Sequence, residues 1–450
     1  MRREPSGRHD AGGASGRSPD AAGWARMARR LTEGFAAKAG GVWDSLQLAS
    51  PRAELRIRRE TAHWAEEALR ERMLRGMRGE SSDWEGTIAE LVRRIREETE
   101  KHNRNNITRT AAYLAMFRAY PELHWALLAH LVSRNGGWSM TDLKGQWLPT
   151  LLAPDAVETI FAMLEACNAL IFRDAYPQLL LYAESRRSGQ SRFGLLPAFG
   201  VSAFMTPFWE RFWIDRDAPL LTVALIVNEQ HVIEGRVVRD PAYRSTVLSS
   251  LPFLSQRWLQ LNQVVFPLAA PPENEAEDES RHKGVDLGRA DSRLSGRVLE
   301  RFDDIRERIA FGKSLYAMLF AYPKVNEGAV AFAKAVPHTG SRADYWPRVF
   351  AAATPIGDAR PSATVRQAGW GQQGRWRSPA HAASWPDRPL APPTPGDWLT
   401  DPSAARYLLG LRPPLVFEMT REHAFGQRKL QAAVMTKLAL LPDGERASFD

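Results

Sequence analysis

Three apolar segments of this chain carry ionisable and amide side chains in their midst, and those groups are where chemistry would be done. In Ala224–Arg236 (ALIVNEQHVIEGR), apolar residues from Leu220 to Val227 would cover a helix on all sides, the pattern of a buried helix. Asn228, Glu229, Gln230, Glu234 and Arg236 follow without a break. Glu229 and Arg236 are seven apart, so a regular helix projects them in nearly one direction. A carboxylate buried without a partner costs several kcal/mol, so these groups must be paired, solvated in a cavity or protonated. Arg109, His130 and Arg134 are the partners expected for Glu229. In a cavity, Glu229 or His130 would act as acid or base.

The second segment, Asn103–Gly145, places Glu122, Ala126, His130 and Ser133 on one face if residues 122–134 are helical. His124 projects with Leu127, Leu128 and Leu131 and reads as a core histidine. Asn135-Gly136-Gly137 is expected to end that helix, with Thr141 or Asp142 capping the next. In the third segment Glu165 and Asn168 share a helical face, Gln178 and Tyr182 stack at i, i+4, and Pro177 marks a kink or a new first turn after Asp174. Together these residues suggest a polar pocket in which Arg109, Glu122, Arg134, Asn168, Asn228, Gln230, Glu234 and Arg236 bind a ligand. The competing reading is an ion-paired network that fixes helix register.

Metal and cofactor signals are weaker. Glu60-Thr-Ala-His63 matches Glu-x-x-His once, where a di-iron bundle needs two such helices and two further Glu. No motif names a cofactor. Cys167, the single cysteine, sits among Leu164, Leu170 and Ile171 and reads as a buried inert thiol. One cysteine excludes an intramolecular disulfide.

The elements that must position these groups read as mostly α: a multi-helix body, a smaller second helical block, and a long Pro/Trp-rich irregular segment. Residues 1–50 form a basic leader, largely disordered; 51–270 the helical core; 271–284 a linker or mobile loop; 285–450 the second block. Two amphipathic helices are expected within 52–104, broken around 76–83, and further helices over 153–175, 218–238, 294–336 and 421–441. No sustained period-2 run marks a strand. Residues 337–402 hold 11 of the 30 prolines together with Trp346, Trp370, Trp376, Trp385 and Trp398. With these tryptophans as large apolar anchors they read as a loop pinned to the body, with 360–377 disordered; on the scaffold reading, the exposed part of this Trp-rich segment is the surface for a protein partner.

The net charge of +8 hints at nucleic acid, but residues 1–30 alone carry seven Arg against three acids, so half of it sits in the leader. Arg outnumbers Lys 51 to 9, which suits phosphate and equally suits GC-rich codon usage. Nucleic-acid binding therefore ranks behind a small-molecule pocket and a scaffold. The longest apolar run, Pro219–Val227, is too short to span a bilayer, and no signal sequence is written at Met1–Ala22, so the chain reads as soluble and cytoplasmic.

The strings NNITRT (105–110), PELHWALLAHLVSRNGGWSMTDLKG (121–145), DAYPQLLLY (174–182), VSAFM (201–205), ALIVNEQHVIEGRVV (224–238) and TGSRADYWPRVF (339–350) resemble the bacterial family called domain of unknown function 2515. The resemblance runs from about residue 100 to 350. It implies a soluble bacterial protein and supplies no activity, cofactor or catalytic residue.

Overall fold

Helix 218–233 shows how the apolar runs become a core. Asp217 caps it by accepting from the Leu220 amide at 3.0 Å, Pro219 lies in its first turn, and its residues from Leu220 to Asn228 are all buried. Around this central rod the other helices pack. A computed structural model of the chain describes residues 39–76, 86–243, 262–269, 291–353, 375–389 and 396–440. In chain order the helices are α1 (39–48), α2 (Arg59–Gly76), α3 (Gly86–His102), α4 (Asn106–Ala119), α5 (His124–Asp142), α6 (Leu148–Leu151), α7 (Pro154–Ser188), α8 (Thr206–Asp215) and α9 (Ala218–Ile233). A π turn, Glu234–Val238, ends α9. Then come α10 (Ile305–Ala321), α11 (Pro323–Ala335) and α12 (Thr420–Leu440). The fold is mostly α, as expected.

Two small sheets depart from the strand-free expectation. Strand β1 (Gln263–Leu268) pairs antiparallel with β2 (Arg293–Val298), with Gln263 opposite Val298 and Leu268 opposite Arg293. Phe350–Ala351 pairs in parallel with Trp376–Arg377. The block expected as helix over 294–336 therefore begins as a strand. Gly296 lets it lie close: a Cβ there would stand 2.3 Å from the Val264 carbonyl.

The Asn-Gly-Gly triplet does not end a helix. α5 runs through it to Asp142 because Asn135 and Gly137 both serve packing. Asn135 acts as a strand surrogate, donating to the Gln263 carbonyl at 3.0 Å and accepting from the Val265 amide at 3.0 Å. Gly137 leaves room for Asn106 and His338 to meet across the helix. Thr141 and Asp142 consequently close α5 rather than cap a successor. Pro177 likewise lies inside one continuous helix of 35 residues. Buried packing on both sides outweighs the roughly 3 kcal/mol that an internal proline costs.

Residues 39–48 of the expected leader are helical and docked: Ser45 Oγ accepts from the amides of Phe417 and Glu418 at 3.0 and 2.9 Å. Residues 1–38 lie outside the described residues, as do 271–290, which hold the whole of the proposed linker, and 354–374, which hold the larger part of the stretch 360–377 and Trp370. The other tryptophans of 337–402 are not an exposed surface. Trp346 and Trp385 are buried, Trp376 and Trp398 half-buried, and Trp346, Trp385 and Trp398 donate their N–H to Ser292 O, Met140 O and Asn228 Oδ1 at 2.8 to 3.0 Å. A buried indole removes on the order of 200 Å² from water, worth about 5 kcal/mol as an upper bound, which is why an irregular segment stays pinned.

Candidate functional site

The polar groups of α7 and α9 meet in one interior centre. Asp174 and Gln178 lie one turn apart on α7, and Asp174 Oδ2 accepts from Gln178 Nε2 at 2.9 Å and from Asn228 Nδ2 of α9 at 2.5 Å. Gln178 Oε1 takes the Trp209 indole at 2.7 Å, and Asn228 Oδ1 takes the Trp398 indole at 2.8 Å. Glu229, the next residue on α9, accepts from the Trp125 indole of α5 and from Gln230 Nε2, both at 3.2 Å. Gln230 in turn accepts from Arg308 Nε of α10 at 3.0 Å, and Arg308 closes the chain of bonds on Glu234 in the π turn.

The electrostatics of this centre are unusual for carboxyl groups. Among the described residues neither Asp174 nor Glu229 has a cation within ion-pair distance. Burial pushes the Glu229 carboxyl up to about 8, against hydrogen bonds from Gln230 and Trp125 that favour the charged form. Burial pushes Asp174 up to about 7 in the same way, with Asn228 opposing it. Both groups can thus hold a proton near neutrality. Asp174 is buried; Glu229, Gln230 and Arg236 are half-buried. Residues 396–399 lie over the centre: Trp398 stacks on His231 at 3.9 Å, and Gly396 O lies 3.5 Å from the Arg236 guanidinium.

A second polar centre sits between α4, α5 and residues 338–345. Arg109 pairs with Glu165 at 2.6 Å, both fully shielded from water. Asn106 donates to Ser133 O at 2.8 Å, which turns its Oδ1 toward His338 Nε2, also at 2.8 Å. His338 Nδ1 faces Asp344 Oδ2 at 3.3 Å, and Asp344 also accepts from the Trp138 indole at 3.0 Å. Burial would raise the Asp344 carboxyl, but the bonds from His338, Thr339 and Trp138 hold it low. Arg134 donates to the carbonyls of Val336 and Pro337 at 2.8 and 3.2 Å. His130 Nδ1 bonds Thr110 O at 2.9 Å, and burial lowers the imidazole to about 3, so it is neutral. Its Nε2 is buried without a partner among the described residues. Farther along α5, Asp142 meets Arg342 at 2.5 Å, and Arg342 leads to Tyr345, His423 and Gln263.

The expected pocket residues therefore divide. Asn228, Glu229, Gln230, Glu234 and Arg236 come together in the first centre. The π turn adds a residue to the register between Glu229 and Arg236, so a regular-helix projection no longer relates them. Arg109, His130 and Arg134 belong to the second and do not pair with Glu229. Trp125 and His130 stand about 140° apart around α5, which explains the split. Glu122 precedes α5 instead of sharing its face, and binds Tyr182 at 2.7 Å and Arg186 at 2.9 Å. Asn168 lies against Gly136 and Met140 Sδ.

Asp174, Arg308, Asp142, His338, Arg342 and Asp344 enter these centres without being singled out from sequence as site residues. Asp142, Asp174, Arg342 and Asp344 stand inside strings already distinctive, which is the available signal. His124 is the core histidine expected, stacked on Phe320 at 4.0 Å with Nδ1 3.1 Å from the Tyr316 hydroxyl. Cys167 is buried and its thiol is pushed up to about 12.

A family model described as "Protein of unknown function (DUF2515)" matches residues 101–415. The chain is 40% identical over 257 residues to a relative described as "Uncharacterized protein YppC" from Bacillus subtilis (strain 168), covering 57% of this chain and 73% of that protein. No solved structure matches. The residues of the first centre all lie within 101–415, and those of the second do so except His423.

Proposed function

The chain belongs to the DUF2515 family, and from that premise we propose that it binds a small polar molecule at the carboxyl centre of α7 and α9. The observation that carries this reading is that two buried carboxyl groups, Asp174 on α7 and Glu229 on α9, have no ion-pair partner among the described residues, while the half-buried Arg236 acts on Asp174 as a nearby cation. A protein that needed only register would meet a buried carboxylate with a cation, as Arg109 does for Glu165. A protonated carboxyl instead donates a hydrogen bond, and at pH 7 it can give or take a proton. Glu229, half-buried where Asp174 is buried, is the acid or base of this site, with Asn228, Gln230 and Arg236 orienting the ligand.

No membrane span enters this reading: among the described residues no helix is long and apolar enough to cross a membrane. The competing scaffold reading draws on the second centre, where every cation is engaged by acids or carbonyls.

The test is a metabolite panel read by thermal shift on the full chain at pH 7, comparing the parent with Glu229→Gln and Asn228→Ala. A compound class that stabilises the parent and no longer stabilises either variant supports the site. If nothing stabilises the parent while both variants melt several degrees lower, the centre is structural.

A further inference from the structure

Among the described residues eight large apolar side chains stand in water, and five of them fall on two neighbouring segments. Val42, Trp43 and Leu46 lie on the outer side of α1, and Leu415 and Val416 lie on the extended segment beside it. The segments are joined where Ser45 Oγ accepts from the Phe417 and Glu418 amides, and where Lys324 Nζ reaches Gln47 O at 3.1 Å. Taking Ser45 as the inward direction, Val42, Leu46 and Trp43 project within an arc of about 100° on one side of α1. Trp43 is 66% exposed and Leu415 74%. A monomer has no reason to keep an indole and a leucine there unless something covers them.

Charge says what the cover is. Two residues before Leu415, the same segment enters an open groove of about 440 Å³ lined by Arg52, Arg56, Arg412, Leu55, Leu411 and Pro413. Its three arginines form no ion pair among the described residues, and Glu54 is the one acid on its wall. The sequence preceding α1 adds a further net +4 over residues 1–30. An aromatic and aliphatic cluster on a convex helix, bordered by arginines, matches the boundary between headgroups and acyl chains of an anionic bilayer. A protein partner would be met by a concave apolar cleft, whereas the concave part of this face is the cationic one.

We propose that this face docks the protein on an anionic phospholipid surface: Trp43, Leu46 and Leu415 enter the headgroup boundary while Arg52, Arg56 and Arg412 meet the phosphates. Attachment is peripheral and reversible, since three side chains and a basic patch bind far more weakly than a spanning helix. The inference is independent of the carboxyl centre.

The test is co-sedimentation of the full chain with vesicles of phosphatidylcholine alone and of an equal mixture with phosphatidylglycerol. The parent is expected to partition onto the mixed vesicles, less so as salt rises, and not onto phosphatidylcholine alone. Trp43→Ser with Leu415→Ser, which leaves every charge in place, should lower that partition about tenfold, while Ile214→Ser, exposed elsewhere, should not change it. If the double variant melts below the parent, Leu415→Asn alone is read instead, and the same direction is required. Three results overturn the proposal. These are no partition of the parent, partition undiminished by the apolar variants, and a dimer without vesicles that the apolar variants dissolve, which would make the face a contact between copies of the chain.

Discussion

At the scale of single residues, the chemistry of this interior is decided by which carboxyls have cations. Glu165 has Arg109 at 2.6 Å, and removing either partner from such a pair costs about 3 to 5 kcal/mol, so that pair is committed to structure. Glu229 has only neutral donors, and the result is a proton held where an exposed glutamate would have lost it. The sign for stability follows from linkage. The folded state keeps the Glu229 proton up to about pH 8, whereas the unfolded chain releases it near the ordinary value of 4.5. Its contribution is present below about pH 4.5 and is lost as pH rises to 8. The contribution of Asp174 is lost between its ordinary 3.8 and about 7. In urea unfolding between about pH 7 and 8, the loss of stability that comes from Glu229 should therefore appear as a steeper fall in the parent than in a variant lacking that carboxyl. Glu229→Gln should be flatter over that interval, and equal slopes in the two proteins would remove the argument. The residue types of this centre were readable in sequence. The partners were not, because Arg308 meets Glu234 from 74 positions away and Arg342 meets Asp142 from 200. Local spacing carries no information about such pairs.

At the scale of elements, helix existence followed from periodicity and helix ends did not. The stretch expected over 421–441 is α12, and the helix expected over 218–238 is α9 followed by a π turn over Glu234–Val238. The error at Asn135-Gly136-Gly137 has a clear cause. Glycine reads as a stop signal in isolation, yet here a Cβ on Gly137 would lie 2.2 Å from Asn106 Oδ1 and 2.6 Å from His338 Nε2. That closeness makes a discriminating pair of variants. Gly137→Ala should lose about 1 to 3 kcal/mol of unfolding free energy through overpacking, despite alanine's better helix propensity. Gly136→Ala, whose added methyl would meet Asn168 at an ordinary 3.5 Å, should be neutral or stabilise by up to about 1 kcal/mol. Equal effects at the two positions would mean that the Asn106–His338 contact does not shape α5.

At the scale of the whole molecule, a mostly helical body was legible because long apolar stretches at helical length admit few alternatives. The small sheets were missed because β1 and β2, though adjacent in space, are separated by 24 residues and lack a turn signal between two alternating runs. The tryptophans of 337–402 are the apolar anchors that pin a proline-rich, irregular segment to the body, and those among the described residues do not offer the exposed surface that the scaffold reading needs. Among the described residues, large apolar side chains open to solvent concentrate instead on α1 and residues 415–416. What unites the interior is the claim that a helical protein holds carboxyl protons at neutral pH between α7 and α9. Difference infrared spectroscopy of the full chain against Glu229→Gln at pH 6.5 tests it most directly. The account predicts a protonated-carboxyl carbonyl band in the parent that the variant lacks and that fades as the pH passes about 8. A parent spectrum that shows Glu229 only as carboxylate at pH 6.5 would contradict it.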